Sequence, residues 1–200
     1  MMIEEMRKHG KLEVITGCMF SGKTEELIRR LERVRIANGK VILFKPTIDT
    51  RYSRKAIVTH YGREFAAHLL APGEESVERL KTVVGKEELS AGSVIAFDEG
   101  NFFSDALPEL CEALVRSGKR VIVAGLDLTF AGEPFGPMPA LMAAADRVDK
   151  LQAVCVKCGG EATRSQRLVD GRPAPANDPV IQIGGTEAYE ARCRTCYERG

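Results

Sequence analysis

Between an apolar run at 12–16 and a helical pattern from 24, the chain reads Gly17-Cys18-Met19-Phe20-Ser21-Gly22-Lys23-Thr24. This is GxxxxGK[ST], a pattern that dictates a strand, a tight loop and a helix in that order. Its glycines let the backbone turn and bring N–H groups to an anion. The helix that follows aims its N-terminal dipole at the same anion. Lys23 is placed to reach the β- and γ-phosphates of a nucleotide, and the Thr24 hydroxyl to ligate Mg²⁺. A chance match arises in on the order of one chain in a hundred; here the motif also has its strand and its helix.

The rest of the first 150 residues repeats this alternation. Residues 12–16 read as a buried strand and 24–38 as a helix with Leu27, Ile28, Leu31, Val34 and Ile36 near helical spacing, stopped by Asn38-Gly39. Residues 41–44 read as a second buried strand, so the unit favours a parallel sheet. Further helices are expected at 74–84, 105–117 and 138–146, with strands at 93–97 and 120–124. Residues 46–63 lack a period and read as a loop or hairpin; 131–139, broken by Gly and Pro, must be a loop. The expected fold is α/β, a P-loop NTPase-type parallel sheet flanked by helices, over residues 1–150.

At about residue 150 the character changes. Short β-like pieces at 166–169 and 180–183 flank a Pro-rich stretch, and the region is bounded by Cys155-x2-Cys158 and Cys193-x2-Cys196. Two such knuckles suit tetrahedral Zn²⁺, and four protein thiolates close the site, so its role is structural. The 34 residues between the pairs exceed the ~15–20 of a common zinc ribbon. Residues 151–200 are therefore expected to form a small zinc-binding domain carrying a long loop.

The 200 residues are 44% hydrophobic and 28% charged, which excludes global disorder. Net charge is +1, with no Trp and only four Tyr. That argues against a stable nucleic-acid partner, which needs a basic, aromatic-bearing face. No apolar run approaches the roughly 18 residues of a membrane span. The charged N-terminal stretch lacks the apolar core of a signal peptide, so no membrane partner and a cytoplasmic location are expected.

The apolar run Ser93–Phe97 ends in Asp98-Glu99. Beside a phosphate loop, Asp98 would sit near Mg²⁺, and Glu99 could take a proton from an attacking hydroxyl or water. The alternative at this stage is a P-loop ATPase with a zinc ribbon acting on nucleic acid; a purely structural zinc module would leave Gly17–Thr24 and Asp98-Glu99 unexplained.

These residues, with DTRYS at 49–53, FDEGNFF at 97–103, GLDLTFAGEPFG at 125–136 and IGGTEAYEARCRTC at 183–196, resemble the type II thymidine kinase family over Lys11 to Tyr197. The resemblance implies transfer of the ATP γ-phosphoryl group to the 5′-hydroxyl of thymidine, with deoxyuridine open as a second acceptor. It implies Glu99 as catalytic base, Asp98 on Mg²⁺, and Asp49, Thr50, Arg51 and Asn101 with the loop 17–24 around ATP. Backbone groups of Val180, Ile181, Gln182, Ile183 and Gly184 would pair with the base, and Tyr189 would cover it. Met19, Leu126, Phe130 and Phe135 would line its apolar side. The resemblance also implies a homotetramer and feedback binding of thymidine triphosphate.

The chain departs from the family pattern at Cys18, usually Pro, at Asn101, usually Gln, and at Leu128-Thr129, where many bacterial members carry Thr-Asp. Cys18 lies in an anion-binding loop at a helix N-terminus, where a thiolate is favoured. Oxidants or alkylating agents are then expected to block ATP binding through it; the alternative is a packed, inert thiol.

Overall fold

The computed structural model describes residues 10–47, 65–85, 89, 93–180 and 188–200, and the backbone alone of 56–58 and 64. The expected Asp49, Thr50, Arg51, Ile181, Gln182, Ile183 and Gly184 lie outside the described residues.

Six strands form a parallel sheet: β1 (Lys11–Gly17), β2 (Val41–Pro46), β5 (His68–Leu70), β6 (Val94–Phe97), β7 (Arg120–Gly125) and β8 (Arg147–Leu151), in the order β5-β2-β6-β7-β1-β8. The strands at its centre are near-continuous apolar runs because both faces are covered. On one face Val14, Phe44, Ile95, Phe97 and Val123 pack against Leu107, Leu110 and Leu114 of α3 (Leu107–Arg116) and Met138 and Leu141 of α4 (Met138–Ala144). On the other, Ile15, Leu43, Ala96 and Ile122 meet Leu27, Ile28 and Leu31 of α1 (Lys23–Ile36). The shorter α2 (Val77–Val84) starts at Ser76, whose hydroxyl accepts from the N–H of Arg79.

The helices and strands expected in the first 150 residues lie within a few residues of their expected bounds. Within 46–63, β3 (Ala56–Val58) pairs antiparallel with β4 (Glu64–Ala66), so part of that stretch is a hairpin. The sequence periodicity did not point to β5 or β8. β8 reads RVDKL, a polar string, because it is an edge strand whose charges are paired inward. Arg30 of α1 is buried and bonds Glu13 at 2.8 Å, Glu26 at 2.8 Å and Asp149 of β8 at 2.7 Å. Arg120 adds a second guanidinium to Glu13 at 2.8 Å, holding that carboxyl below its ordinary range although burial works against it.

After Leu151 the chain makes two small antiparallel sheets. One joins β9 (Ala153–Val154) to β10 (Glu161–Ala162). The other orders β12 (Arg172–Pro173), β11 (Arg164–Val169) and β13 (Ala188–Arg192). Val180, expected to open a strand, lies outside the strands. Among the described residues, no helix is long and apolar enough to cross a membrane.

Candidate active site and metal centre

The phosphate loop joins β1 to α1 at the carboxyl end of the sheet, where ligands of open α/β sheets bind. Gly17 has φ +135°, and a Cβ there would lie 2.2 Å from the Leu151 carbonyl oxygen, so any side chain would push β1 from β8. Gly22 is left-handed at φ 82° and caps α1. The Lys23 ammonium and the Ser21 hydroxyl donate to the Cys18 carbonyl at 2.7 and 2.8 Å, which curls the loop and holds the cation over it. Burial pushes the Lys23 pKa down, while the fields of Glu99, Asp98 and Asp127 work to keep it charged. Thr24 is the second residue of α1, half-buried, and Phe20 stands out into solvent at 58% exposure with φ 65°.

Asp98 and Glu99 follow β6, two strands from β1. Asp98 is buried, and burial first, then the Glu99 charge, lift its carboxyl from 3.8 to about 7. Lys45 and Lys23 pull the other way. Glu99 is half-buried and left-handed (φ 52°, ψ 43°), a conformation that costs a non-glycine residue ~1–2 kcal/mol. Such a residue persists only where its surroundings enforce it, and active sites collect them. Asn101 is spent on structure: its Oδ1 accepts from Leu126 N–H at 2.9 Å, and among the described residues its buried Nδ2 has no partner.

Beside this end of the sheet, a pocket gathers Met19, Leu126, Phe130, Phe135, Val180 and Tyr189, all expected from sequence, with Phe102, Leu128 and Ser165. The loop after β7 builds one wall. Thr129 N–H donates to Glu133 O at 2.8 Å and Phe135 N–H to Asp127 O at 3.1 Å, so residues 127–135 fold back on themselves and project two phenyl rings. Phe135 meets Phe102 edge-on at 5.4 Å, and Tyr197 Oη donates to the Phe130 carbonyl at 2.7 Å. The opposite wall comes from β11, β13 and Val180.

The sequence reading missed Ser165, Lys45 and the Asp127–Lys150 ion pair (2.7 Å). Lys45 had one signal, a lysine closing the apolar string VILF; it is buried and its charge acts on Asp98.

The Cys18 expectation is corrected. Its thiol is buried against Cys155, Ala162 and Ala191 and donates to the Ala162 carbonyl at 3.3 Å. Burial pushes its pKa up, so the loop's anion-binding character does not yield a reactive thiolate. Cys18 instead fastens the phosphate loop to the C-terminal sheets. The adjacent Met19 N–H does the same, donating to Ser165 Oγ at 2.9 Å.

Cys155, Cys158, Cys193 and Cys196 bring their sulfurs within 4.8 Å of one another and form no disulfide. Four sulfurs about 2.3 Å from a tetrahedral Zn²⁺ would lie ~3.8 Å apart; those of Cys158 and Cys193 are 3.7 Å apart. The Cys193 N–H and other amides bring the Cys155 thiol down to about 6, and amides also lower Cys193. Hydrogen bonding with Cys193 and Cys158 pushes Cys196 up to about 12. Four crowded thiols that cannot all ionise alone are a donor set made for a dication.

A parallel sheet with a phosphate loop, an acidic pair at its carboxyl edge and a four-cysteine cluster suited to zinc defines a P-loop nucleotide-binding fold with a metal-binding cluster. One known family spans almost the whole chain. The chain belongs to the thymidine kinase family, whose model matches residues 10–197, and is thus a phosphotransferase. It is 48% identical over 188 residues to thymidine kinases of two strains of Halobacterium salinarum, covering 94% of this chain and 94% of each relative. The nucleic-acid ATPase alternative is not favoured. Among solved structures, the chain is similar to the genome packaging NTPase B204 from Sulfolobus turreted icosahedral virus 2, with TM-score 0.46 and 15% identity over 70% of this chain and 73% of that one.

Proposed function

We propose that the protein transfers the γ-phosphoryl group of ATP to the 5′-hydroxyl of thymidine, giving thymidine 5′-monophosphate. The observation that carries the reading is the convergence of Lys23 with Asp98 and Glu99, whose charges act on one another beside an apolar pocket. The backbone N–H groups of residues 17–24 and the Lys23 ammonium cradle the β- and γ-phosphates. Thr24 and Asp98 would hold Mg²⁺, which supplies charge neutralisation on the phosphates. A buried carboxyl lifted to about 7 beside a second acid suits that cation, whose field would restore its ionised form. Glu99, more exposed and left-handed at the turn, accepts the proton of the 5′-hydroxyl as the oxygen attacks phosphorus. Met19, Leu126, Phe130, Phe135 and Tyr189 enclose the base, and backbone groups from Val180 onward read its edge. Asp49, Thr50 and Arg51 complete the nucleotide site.

In this reading residues 1–150 hold ATP and 151–200 carry the zinc and the nucleoside cover. A homotetramer, feedback binding of thymidine triphosphate and a cytoplasmic location follow the family resemblance; the unpaired thiols suit a reducing compartment. The test is ADP release from Mg-ATP with thymidine, deoxycytidine, single-stranded DNA or no acceptor. Thymidine-dependent turnover is expected; turnover driven by DNA and indifferent to thymidine would overturn the reading.

A further inference from the structure

Arg167 is the largest fully buried side chain among the described residues. A guanidinium withdrawn from water is costly unless its surroundings replace the lost hydration. Its Nη1 donates to the Pro179 carbonyl at 2.8 Å, and Nη2 lies 4.0 Å from the Asp178 carboxylate. On its other side the guanidinium carbon sits 4.9 Å from the centre of the Phe130 ring, a cation–π contact. Its backbone pairs with Tyr189, and its carbonyl accepts from Ala174 N–H at 3.0 Å.

These partners are the pocket walls seen from behind. Phe130 and Tyr189 line the pocket, and Pro179 immediately precedes Val180, which lines it too. Arg167 itself does not line it. The planar guanidinium is therefore wedged between the loop after β7 and the segment carrying Val180, one flat face on a ring and one edge on a carbonyl. Lysine cannot reproduce that combination, because its point charge lacks both the plane and the fork.

We infer that Arg167 is a positioning residue for the nucleoside: by stacking on Phe130 and bonding Pro179 it sets the separation of the walls that grip the base. The inference rests on the thymidine reading above and adds to it a residue that never touches the substrate. Its effect belongs on nucleoside affinity and not on ATP, whose site lies at the phosphate loop.

The test measures both KM values, kcat and thermal melting for the zinc-loaded parent, Arg167→Met, Arg167→Lys, Phe130→Leu and the Arg167→Met/Phe130→Leu double variant. Arg167→Met is expected to raise the thymidine KM about tenfold, as loss of a charged hydrogen bond allows. Its ATP KM should stay within about twofold of the parent. Arg167→Lys should fall between parent and Arg167→Met. In the Phe130→Leu background the Arg167→Met effect should shrink, since part of it runs through the Phe130 contact. Equal rises in both KM values, an unmoved thymidine KM, or full additivity with Phe130→Leu would each overturn the inference. A parent inert towards thymidine overturns the thymidine reading and this inference together; an active parent with an unmoved variant overturns only the role of Arg167.

Discussion

Glu99 and Asp98 are adjacent acids with opposed requirements. Glu99→Gln keeps the shape of the turn and removes the proton acceptor. We expect kcat to fall by roughly 10²–10⁴ with little change in melting temperature, read by the ADP-release assay. Asp98 behaves differently. Its folded pKa of about 7 exceeds the ordinary 3.8, so the folded state prefers the protonated acid. That preference stabilises the protein at low pH and is lost as pH rises from about 4 to about 7. Asp98→Asn should therefore abolish activity yet raise the melting temperature of the ligand-free protein at pH 8, by roughly 3–6 °C. The gain should disappear below about pH 4, where the parent carboxyl is protonated in both states. A melting curve series over pH checks it. Cys18, buried and pushed up in pKa, should resist iodoacetamide in the native zinc-loaded protein and react only on unfolding. At this scale the sequence was legible where the chemistry is local. Gly17–Thr24 and the paired cysteines announce themselves by spacing alone, and Asp98-Glu99 by closing an apolar run in a chain that already carries a phosphate loop. Ser165, Lys45 and Arg167 do not, because each acts through a partner far along the chain that no short window contains.

The same division holds for the elements. Strands buried on both faces and helices with one apolar stripe were legible because burial writes a period into the sequence. β8 was not, because its side chains answer to charges on other elements. Asp149 faces Arg30 of α1 and Lys150 faces Asp127 after β7, so the strand reads as a loop until α1 and β7 are placed. Arg30 is the centre of that arrangement. Arg30→Met would leave Glu13 buried with Arg120 and Lys11 still facing it. We expect a loss of about 2 kcal/mol, below the 3–5 of a lone buried pair because those two cations remain. Urea denaturation of the variant measures it, and an unchanged midpoint would mean that the network contributes nothing net.

Across the whole molecule, the metal centre and the phosphate loop are one construction. Cys155 belongs to the four-cysteine cluster and also packs on Cys18, and β10 and β11 supply Ala162 and Ser165 as anchors for Cys18 and Met19. Stripping the metal with a strong chelator should therefore lower melting temperature and also weaken ATP binding, seen by calorimetry with a non-hydrolysable analogue. Loss of stability with unchanged nucleotide affinity would show the two to be separable. The sequence revealed both sites but not their union, since Cys155 lies 137 positions after Cys18.

That union also sets a schedule for the chain as it is made. Thr24 leaves the ribosome long before its loop has anything to lean on. The Cys18–Ala162 and Met19–Ser165 bonds span 144 and 146 residues. At ~5–20 residues per second, the nascent loop waits roughly 7–30 s for its anchors to be synthesised. A nucleotide grip that depends on those anchors is thus among the last features to mature, and an incomplete chain carries the motif without its hold.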